Sequence, residues 1–243
     1  MKVLTVFILA VVLSWFSFGQ TLTVHKADQT TVSIPLSQID SITFSSQVGT
    51  CPPTVTYAGK IYNTVLIGTQ CWLRENLDVG TMVQGSVDQA DNGTIDKYCY
   101  DNNPANCDTY GGLYQWNEAM QYSTTPGAQG ICPPGWHIPT LAEFQTLQSA
   151  VGGDGNALKA VGQGAGLGEG TNTSGFSALL AGYRYSDGTF YNLGYYAYVW
   201  SSLQFRWTMP SYLVLATDYP GVFMSSDYIQ SRAGGASVRC VKD

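Results

Sequence analysis

Residues 132–143 read CPPGWHIPTLAE, and this stretch contains the clearest structural signal in the chain. Thr140 and Glu143 have the spacing of a capping box directly after Pro139, which predicts that a helix begins here. Gly152-Gly153 ends the helical pattern. Three apolar side chains at helical spacing are predicted to form the buried face of this helix: Leu141, Phe144 and Leu147.

The cysteines predict further constraints around this helix. The chain has 6 cysteines, and an even number in an exported chain favours disulfides over free thiols. A zinc site is excluded because there is no C-x-x-C motif and there are only 2 histidines. Sequence alone allows many pairings, and the spacing favours three bridges: Cys51–Cys71, Cys99–Cys107 and Cys132–Cys240.

Charged side chains are sparse, whereas glycine and tyrosine are abundant. Charged residues make up 12% of the chain, against roughly 25% in an ordinary soluble domain. The chain has 27 glycines and 16 tyrosines, a composition that indicates an extracellular protein. Its net charge is -6 and no lysine or arginine cluster occurs, so we exclude nucleic acid as a partner.

The start of the chain has the features of a secretory leader. A lysine precedes an apolar run over residues 3–18, and Ser17 and Gly19 occupy the −3 and −1 positions of a cleavage site. A membrane span needs about 20 apolar residues, so the run is too short for an anchor. Residues 1–19 are therefore predicted to be a signal peptide, and we expect no transmembrane segment after its removal.

Residues 20–50 are predicted to be a short β-rich segment and linker, because apolar and polar residues alternate in two or three short runs. Residues 39–44, IDSITF, resemble a stretch that often follows signal peptides in exported proteins of Bacteroidetes-like bacteria. We therefore expect a secreted, periplasmic or cell-surface protein of a Gram-negative bacterium. The remaining residues, 51–243, are long enough for a core of their own.

Short strands and helices are predicted within residues 51–243. Residues 56–62 and 64–67 have strand patterns around a turn at Gly59. Besides the capped helix, a second helix is predicted where three apolar residues share one face: Leu113, Trp116 and Met120.

An ordered set of motifs runs along the chain: IGTQCWLRENL (67–77), YGGLYQW (110–116), CPPGWHIPT (132–140), SGFSAL (174–179), WSS (200–202) and SVRCV (237–241). Together these motifs resemble the Fibrobacter succinogenes major paralogous domain. The match covers about residues 51–243.

Parts of these motifs also resemble formylglycine-generating-enzyme-like domains, which have the C-type-lectin-like fold. This resemblance implies one loop-rich α+β domain with short sheets, two helices and disulfides, in which the chain ends meet. It implies a fold and no activity. The oxidase relatives use a pair of cysteines near their C-terminal end, whereas Cys240 is the only cysteine after Cys132, so we expect oxidase chemistry to be absent.

Catalytic constellations are scarce. No G-x-S-x-G or H-E-x-x-H motif occurs, and His137 beside the helix cap is interpreted as a structural hydrogen-bonding residue. A glycosidase needs two carboxylates, but we assign Glu143 to the cap, Glu118 to the polar side of a helix and Glu75 to buried backbone groups. We therefore predict that the chain is not an enzyme. The alternative is an enzyme on the same fold, either carboxylate-based and glycan-active or oxidase-like.

Asn and Asp residues are concentrated over residues 101–108. Hard oxygen ligands suit calcium, so Asp101, Asn103 and Asp108 are a weak candidate for a calcium site. Asn, Asp and Pro are also turn formers, and a tight turn is the favoured interpretation. Otherwise no cofactor is expected.

Aromatic residues crowd into the stretch between Gly182 and Tyr228, in larger number than one small sheet can bury. Tyrosine and tryptophan suit both sugar rings and protein partners. We therefore predict a non-catalytic interaction module that binds glycan or protein at the bacterial envelope or outside the cell, with cell-surface adhesion as one such role. The alternative is that these aromatic residues form the core and the surface of the sheet. The chain would then be a purely structural surface protein. The predicted ligand-binding residues are Tyr183, Tyr185, Tyr195, Tyr196, Trp207 and Tyr212.

Titration of the denatured, unreduced protein with a thiol reagent is expected to find no free thiol, because all six cysteines are predicted to be bridged. The same protein after reduction is the control and should release all six. Any free thiol before reduction would contradict the predicted pairing and reopen the oxidase alternative.

Overall fold

The computed structural model describes residues 21–25, 30–38, 50–205, 209–225 and 232–243. The chain divides into two units, Met1–Gln47 and Val48–Asp243. The predicted signal peptide, the IDSITF stretch and Trp207 lie outside the described residues.

The first unit contains the predicted hairpin. Strands β1 (Thr21–His25) and β2 (Thr31–Pro35) pair antiparallel, with Leu22 opposite Ile34. Every side chain of β2 is exposed. A 3₁₀ turn, Leu36–Gln38, follows the hairpin. The apolar run at residues 42–44, where a further strand was predicted, lies outside the described residues.

The second unit is an α+β domain of short elements, with a 3₁₀ turn at Tyr100–Asn102 and another at Gly166–Gly168. Among the described residues, no helix has both the length and the apolar character needed to cross a membrane. The strands and helices are β3 (Thr54–Tyr57), β4 (Lys60–Ile67), β5 (Gln70–Leu73), β6 (Thr81–Met82), β7 (Asp96–Lys97), α1 (Pro104–Tyr110), β8 (Leu113–Gln115), α2 (Trp116–Ala119), β9 (Trp136–His137), α3 (Leu141–Ala150), α4 (Gly155–Leu158), β10 (Ala181–Arg184), β11 (Phe190–Leu193), β12 (Tyr196–Phe205), β13 (Met209–Ala216), β14 (Phe223–Ser225), β15 (Gly235–Ser237) and β16 (Val241–Lys242).

The larger sheet of the described chain has 7 strands in the order β11-β10-β15-β12-β13-β14, with β8 paired to β15. Its β12–β13 hairpin is buried on both faces. Tyr198 and Trp200 point into one hydrophobic cluster, whereas Val199 and Leu213 point into another. Because successive side chains of a strand alternate between faces, this hairpin separates and supports both halves of the core.

A second sheet of the described residues has 5 strands in the order β3-β4-β5-β16-β9. Its first two strands form the hairpin predicted around Gly59, where Ala58 and Gly59 both have positive φ angles. That backbone is typical of a two-residue hairpin turn. Val241 in β16 lies opposite Trp72 on one side and His137 on the other.

The capped helix is confirmed as α3. The Thr140 hydroxyl accepts from the Glu143 N–H at 3.3 Å, and the Glu143 carboxylate accepts from the Thr140 N–H at 2.8 Å. Phe144 and Leu147 are fully buried, and the Phe144 ring stacks on Trp72 at 5.7 Å. The capping box therefore sets the start of the helix that covers one side of the core.

The helix predicted over residues 113–120 is wrong in its first half. Leu113–Gln115 is a strand that pairs with β15, and only Trp116–Ala119 is helical. All three apolar side chains of the predicted helix face are buried: Leu113, Trp116 and Met120. A strand followed by one helical turn, and not one continuous helix, places them in the core. Helices α1 and α4 were not predicted. Asn103 caps α1 and Pro104 begins it, so the turn formers of this loop act as a helix start.

All three predicted disulfides are confirmed: Cys51–Cys71, Cys99–Cys107 and Cys132–Cys240. No cysteine is free. Cys132–Cys240 spans 108 residues and joins the segment before β9 to the segment before β16.

Replacing Thr140 by Ala is expected to lower the free energy of unfolding by about 1 kcal/mol, because the N-cap hydroxyl is lost. The matched control is Thr146→Ala on the exposed side of the same helix, where the hydroxyl bonds only to the Ala142 carbonyl. Denaturant unfolding of both variants measures the difference. Equal losses would show that the cap does not stabilise the helix.

Candidate functional site

The predicted ligand-binding residues do not form one surface. Tyr212 is fully buried, with its ring 5.8 Å from that of Trp200 and 5.6 Å from that of Tyr198. The prediction for Tyr212 is therefore wrong, because β13 is covered on both faces by the core.

Tyr183 and Tyr185 lie together in a group with Tyr191. The three ring centroids are 5.9 to 6.4 Å apart, and Tyr191 is 44% exposed. Tyr195 is 61% exposed on the turn before β12, and no aromatic ring contact links it to this group. The structure thus places Tyr212 in the core, whereas Tyr183 and Tyr185 belong to a tyrosine trio. Tyr195 is an exposed ring outside this trio.

Tyr196 lines an aromatic groove with a volume of 370 Å³. Its ring stacks on Tyr198, which also contacts the Tyr183 ring of the trio at 5.2 Å. The Tyr219 and Phe223 rings form the outer part of the groove; they stack at 4.4 Å with an interplanar angle of 22°. Tyr219 is 44% exposed and Phe223 is 43% exposed. We call this the aromatic groove, and its lining consists of Tyr196, Tyr198, Val214, Ala216, Asp218, Tyr219, Phe223, Met224 and Ser225.

Sequence reasoning included Tyr219 and Phe223 in the aromatic stretch but not among the predicted ligand-binding residues. The available signal was the Pro220-Gly221 turn, which brings the two rings face to face. A side chain at position 221 would collide with the Tyr219 ring, so glycine lets this ring lie against the backbone.

Buried polar side chains donate hydrogen bonds to the backbone that forms the outer wall of the aromatic groove. Lys159 is fully buried, and its ammonium donates to the carbonyls of Ala216 at 2.7 Å and Tyr219 at 3.0 Å. Burial lowers the pKa of this lysine, although the nearby carboxylates of Asp154 and Asp218 oppose the shift. The Gln148 amide donates to the Val222 carbonyl at 3.0 Å. The segment carrying Tyr219 is therefore fixed to helices α3 and α4.

Two residues of the calcium candidate make other contacts in the structure. The Asn103 side chain caps α1 by accepting from the Ala105 N–H at 3.2 Å. Asp108 is exposed and lies 3.9 Å from the Lys60 ammonium. No group of three or more His, Cys, Asp or Glu residues that could hold a metal ion occurs in the described parts of the chain. These contacts support the turn-forming interpretation, and calcium binding stays a prediction.

Comparison with family models gives one match, to the Fibrobacter succinogenes major domain over residues 65–242. The chain belongs to this family. Comparison with curated proteins and comparison with solved structures both give no match. The family match confirms the resemblance carried by the sequence motifs, and the aromatic groove lies on the family domain because all of its lining falls within residues 65–242.

Two glutamates that were weighed as catalytic residues are engaged in structural contacts. Glu118 was predicted to lie on the polar side of a helix, but it is fully buried. Its carboxylate accepts from the Asp96 N–H at 3.0 Å and from the Tyr122 hydroxyl at 2.7 Å. The reason for its burial is that α2 is a single turn enclosed by the core. Glu75 accepts from the Asn63 N–H at 2.8 Å, so it satisfies a backbone group, but this group is exposed and not buried as predicted.

His137 is held between two carboxylates of the family domain. Its Nε2 lies 2.9 Å from Glu143 and its Nδ1 lies 2.6 Å from Asp243. Burial alone would lower the pKa of His137, but the hydrogen bonds to both carboxylates outweigh burial and raise it above 6.5. Burial would likewise raise the pKa of Glu143, but the bonds from His137 and Thr140 hold it below 4.5. This histidine joins the helix cap to β16.

The free energy of unfolding is expected to decrease as the pH rises above 6.5, because protonated His137 is favoured only in the folded state. The contribution is complete below the unfolded pKa and is lost as the pH passes through the raised folded pKa. Denaturant unfolding from about pH 5.5 to about pH 8.5 measures it. The His137→Gln variant should lose this pH dependence of the free energy of unfolding, whereas His25→Gln should retain it. The same slope in His137→Gln would contradict the assignment.

Proposed function

We propose that the chain is an exported, non-catalytic module that binds glycan in the aromatic groove. The observation that carries this proposal is the stacked Tyr219–Phe223 pair, which leaves large ring areas exposed at the rim of a concave site. Aromatic faces offer apolar area to the C–H surface of a sugar ring, and a tyrosine hydroxyl adds a hydrogen-bonding tip.

The size of the aromatic groove favours sugar over protein as the ligand. A volume of 370 Å³ lies near the lower end of the range for small-ligand sites, about 300–1,000 Å³. A protein partner typically covers about 800 Å² of each surface, far more than this groove offers. Asp218 and Ser225 supply polar groups for sugar hydroxyls beside the rings.

The fixed position of the groove wall also supports binding. Lys159 and Gln148 hold the segment before the ligand arrives, so little conformational entropy is lost on binding. Stacking needs no metal, and we therefore expect binding to survive chelation by EDTA.

Export and fold class are part of the same proposal. Disulfides persist in oxidising compartments, so the three bridges support a location outside the cytoplasm, in agreement with the predicted signal peptide. The C-type-lectin-like, formylglycine-generating-enzyme-like assignment is supported by the short sheets and disulfides. It is also supported by the pairing of β3, β4 and β5 in one sheet with β16, which brings the two ends of the domain together.

Screening of the purified, disulfide-intact protein on a glycan and polysaccharide panel, with and without EDTA, is expected to find binding. Tyr219→Ala should weaken it about fivefold or more, since stacking on one ring is worth about 1–3 kcal/mol in comparable aromatic contacts. Melting temperatures of parent and variant establish that both are folded.

The matched control is Tyr191→Ala, because Tyr191 has the same exposed fraction as Tyr219 but belongs to the tyrosine trio. Loss of binding in Tyr191→Ala with retention in Tyr219→Ala would move the site to the trio. Binding that neither variant changes would contradict both locations.

A further inference from the structure

A polar cleft of 460 Å³ shares no lining residue with the aromatic groove. Its walls come from β4, the segment after β5, helix α1 and residues 177–179. Residues of separate family motifs meet in it, among them Arg74, Asn76, Ser177 and Arg239. Its volume is within the range of small-ligand sites, about 300–1,000 Å³.

Arg239 lies in this cleft with its positive charge uncompensated by any ion pair. The side chain is almost completely buried, and its Nε and Nη2 donate to the Asn76 side-chain oxygen at 3.2 and 2.9 Å. Its Nη1 donates to the Phe176 carbonyl, and the guanidinium lies 4.3 Å from the centre of the Phe176 ring. Burial lowers the pKa of Arg239 to about 9. Buried charges are normally paired with an opposite charge, and these partners are neutral.

Arg74 is a second guanidinium with neutral partners only. Its Nε donates to the Gly175 carbonyl at 3.0 Å and its Nη2 to the Ser177 hydroxyl at 3.3 Å. Among the described residues, neither Arg74 nor Arg239 forms an ion pair with a carboxylate. The cleft therefore contains two cations that share one opening and lack a direct counter-charge.

The remaining charged groups of the cleft already have partners. Lys60 pairs with Asp78, which also pairs with Lys97, and Asp108 lies 3.9 Å from Lys60. Both Glu75 oxygens accept from Asn63 at 2.8 Å, and although the Glu75 charge raises the pKa of Arg239, it forms no ion pair with it.

We propose that this cleft binds the carboxylate of an acidic sugar, with Arg74 as the direct cationic partner and the buried Arg239 as a second positive charge in the cleft wall. Guanidinium groups bind carboxylates through strong, charge-assisted and often bidentate hydrogen bonds. The exposed carboxylate of Asp108 can accept from sugar hydroxyls, and the negative charges of Glu75, Asp78 and Asp108 disfavour a doubly charged phosphate. This site stands on different residues from the aromatic groove and does not depend on it.

Calorimetric titration of the purified, disulfide-intact protein with glucuronate, glucose and glucose 6-phosphate tests the ligand class. Glucuronate is expected to bind at least about tenfold more tightly than either of the others, because only it offers a single carboxylate beside its hydroxyls. Equal binding of glucuronate and glucose, tighter binding of the phosphate, or no glucuronate binding at millimolar concentrations would each overturn the proposal.

Two variants locate the site. Arg74→Gln keeps a side-chain donor but removes the charge, and it should weaken glucuronate binding about tenfold or more. Tyr219→Ala, in the aromatic groove, should leave glucuronate binding unchanged even if it abolishes binding on the glycan panel. Unchanged binding in folded Arg74→Gln, or loss in Tyr219→Ala, would refute the location.

Chemical protection in the parent protein provides a test that does not require a variant to fold. Phenylglyoxal modifies accessible arginines, and peptide mapping identifies Arg74. Glucuronate should slow modification of Arg74 and glucose should not. Equal modification of Arg74 with both sugars would count against the proposal.

Discussion

The insertion of residues 235–243 into both large sheets is the constraint on which the rest of the domain depends. Strand β15 lies between β10 and β12, and β16 lies between β5 and β9. The Leu77 N–H donates to the Val238 carbonyl at 2.8 Å, and the Leu73 N–H donates to the Cys240 carbonyl at 3.1 Å. The Cys132–Cys240 bridge joins residues 108 positions apart in the sequence. On the chain-entropy model, a bridge that closes a loop of about this length stabilises the fold by up to about 4.7 kcal/mol. One segment therefore connects the two sheets, and the Cys132–Cys240 bridge ties this segment to the chain before β9.

Both candidate sites use the same building principle, in which a buried polar side chain binds backbone carbonyls in loops or at the ends of strands and helices. Lys159 binds two carbonyls behind the aromatic groove. At the cleft, the Asn76 amide donates to the Tyr110 carbonyl while its oxygen accepts from Arg239. Such groups have no water to replace a lost partner, so they keep the surrounding loops in one arrangement. Loop-rich surfaces gain in this way the rigidity that binding needs.

The features that could be predicted from the sequence are those with local or nearly unique signals. The capping box at Thr140 needs only four residues, and the cysteine spacing favoured the three pairs that the structure joins. The helix over 113–120 was wrong because a buried strand followed by one helical turn places apolar residues at the same intervals. Tyr212 was assigned to the surface because composition shows that some tyrosines must be exposed but not which ones. The meeting of Arg74 with Arg239 depends on the path of the whole chain, which no local pattern describes.

The position of β15 and β16 has a consequence for the order in which this protein is made. Chains are synthesised from the N-terminus, and domains usually begin to fold as they emerge. Here an interior strand of each sheet comes from residues 235–243, so neither sheet is complete until almost all of the family domain has been translated. Until then β10 and β12 lack their shared neighbour β15, although they also pair directly at one point, and β5 and β9 lack β16. Synthesis of residues 235–243 therefore completes both sheets together, and a chain that stops before residue 235 would leave both sheets without an interior strand.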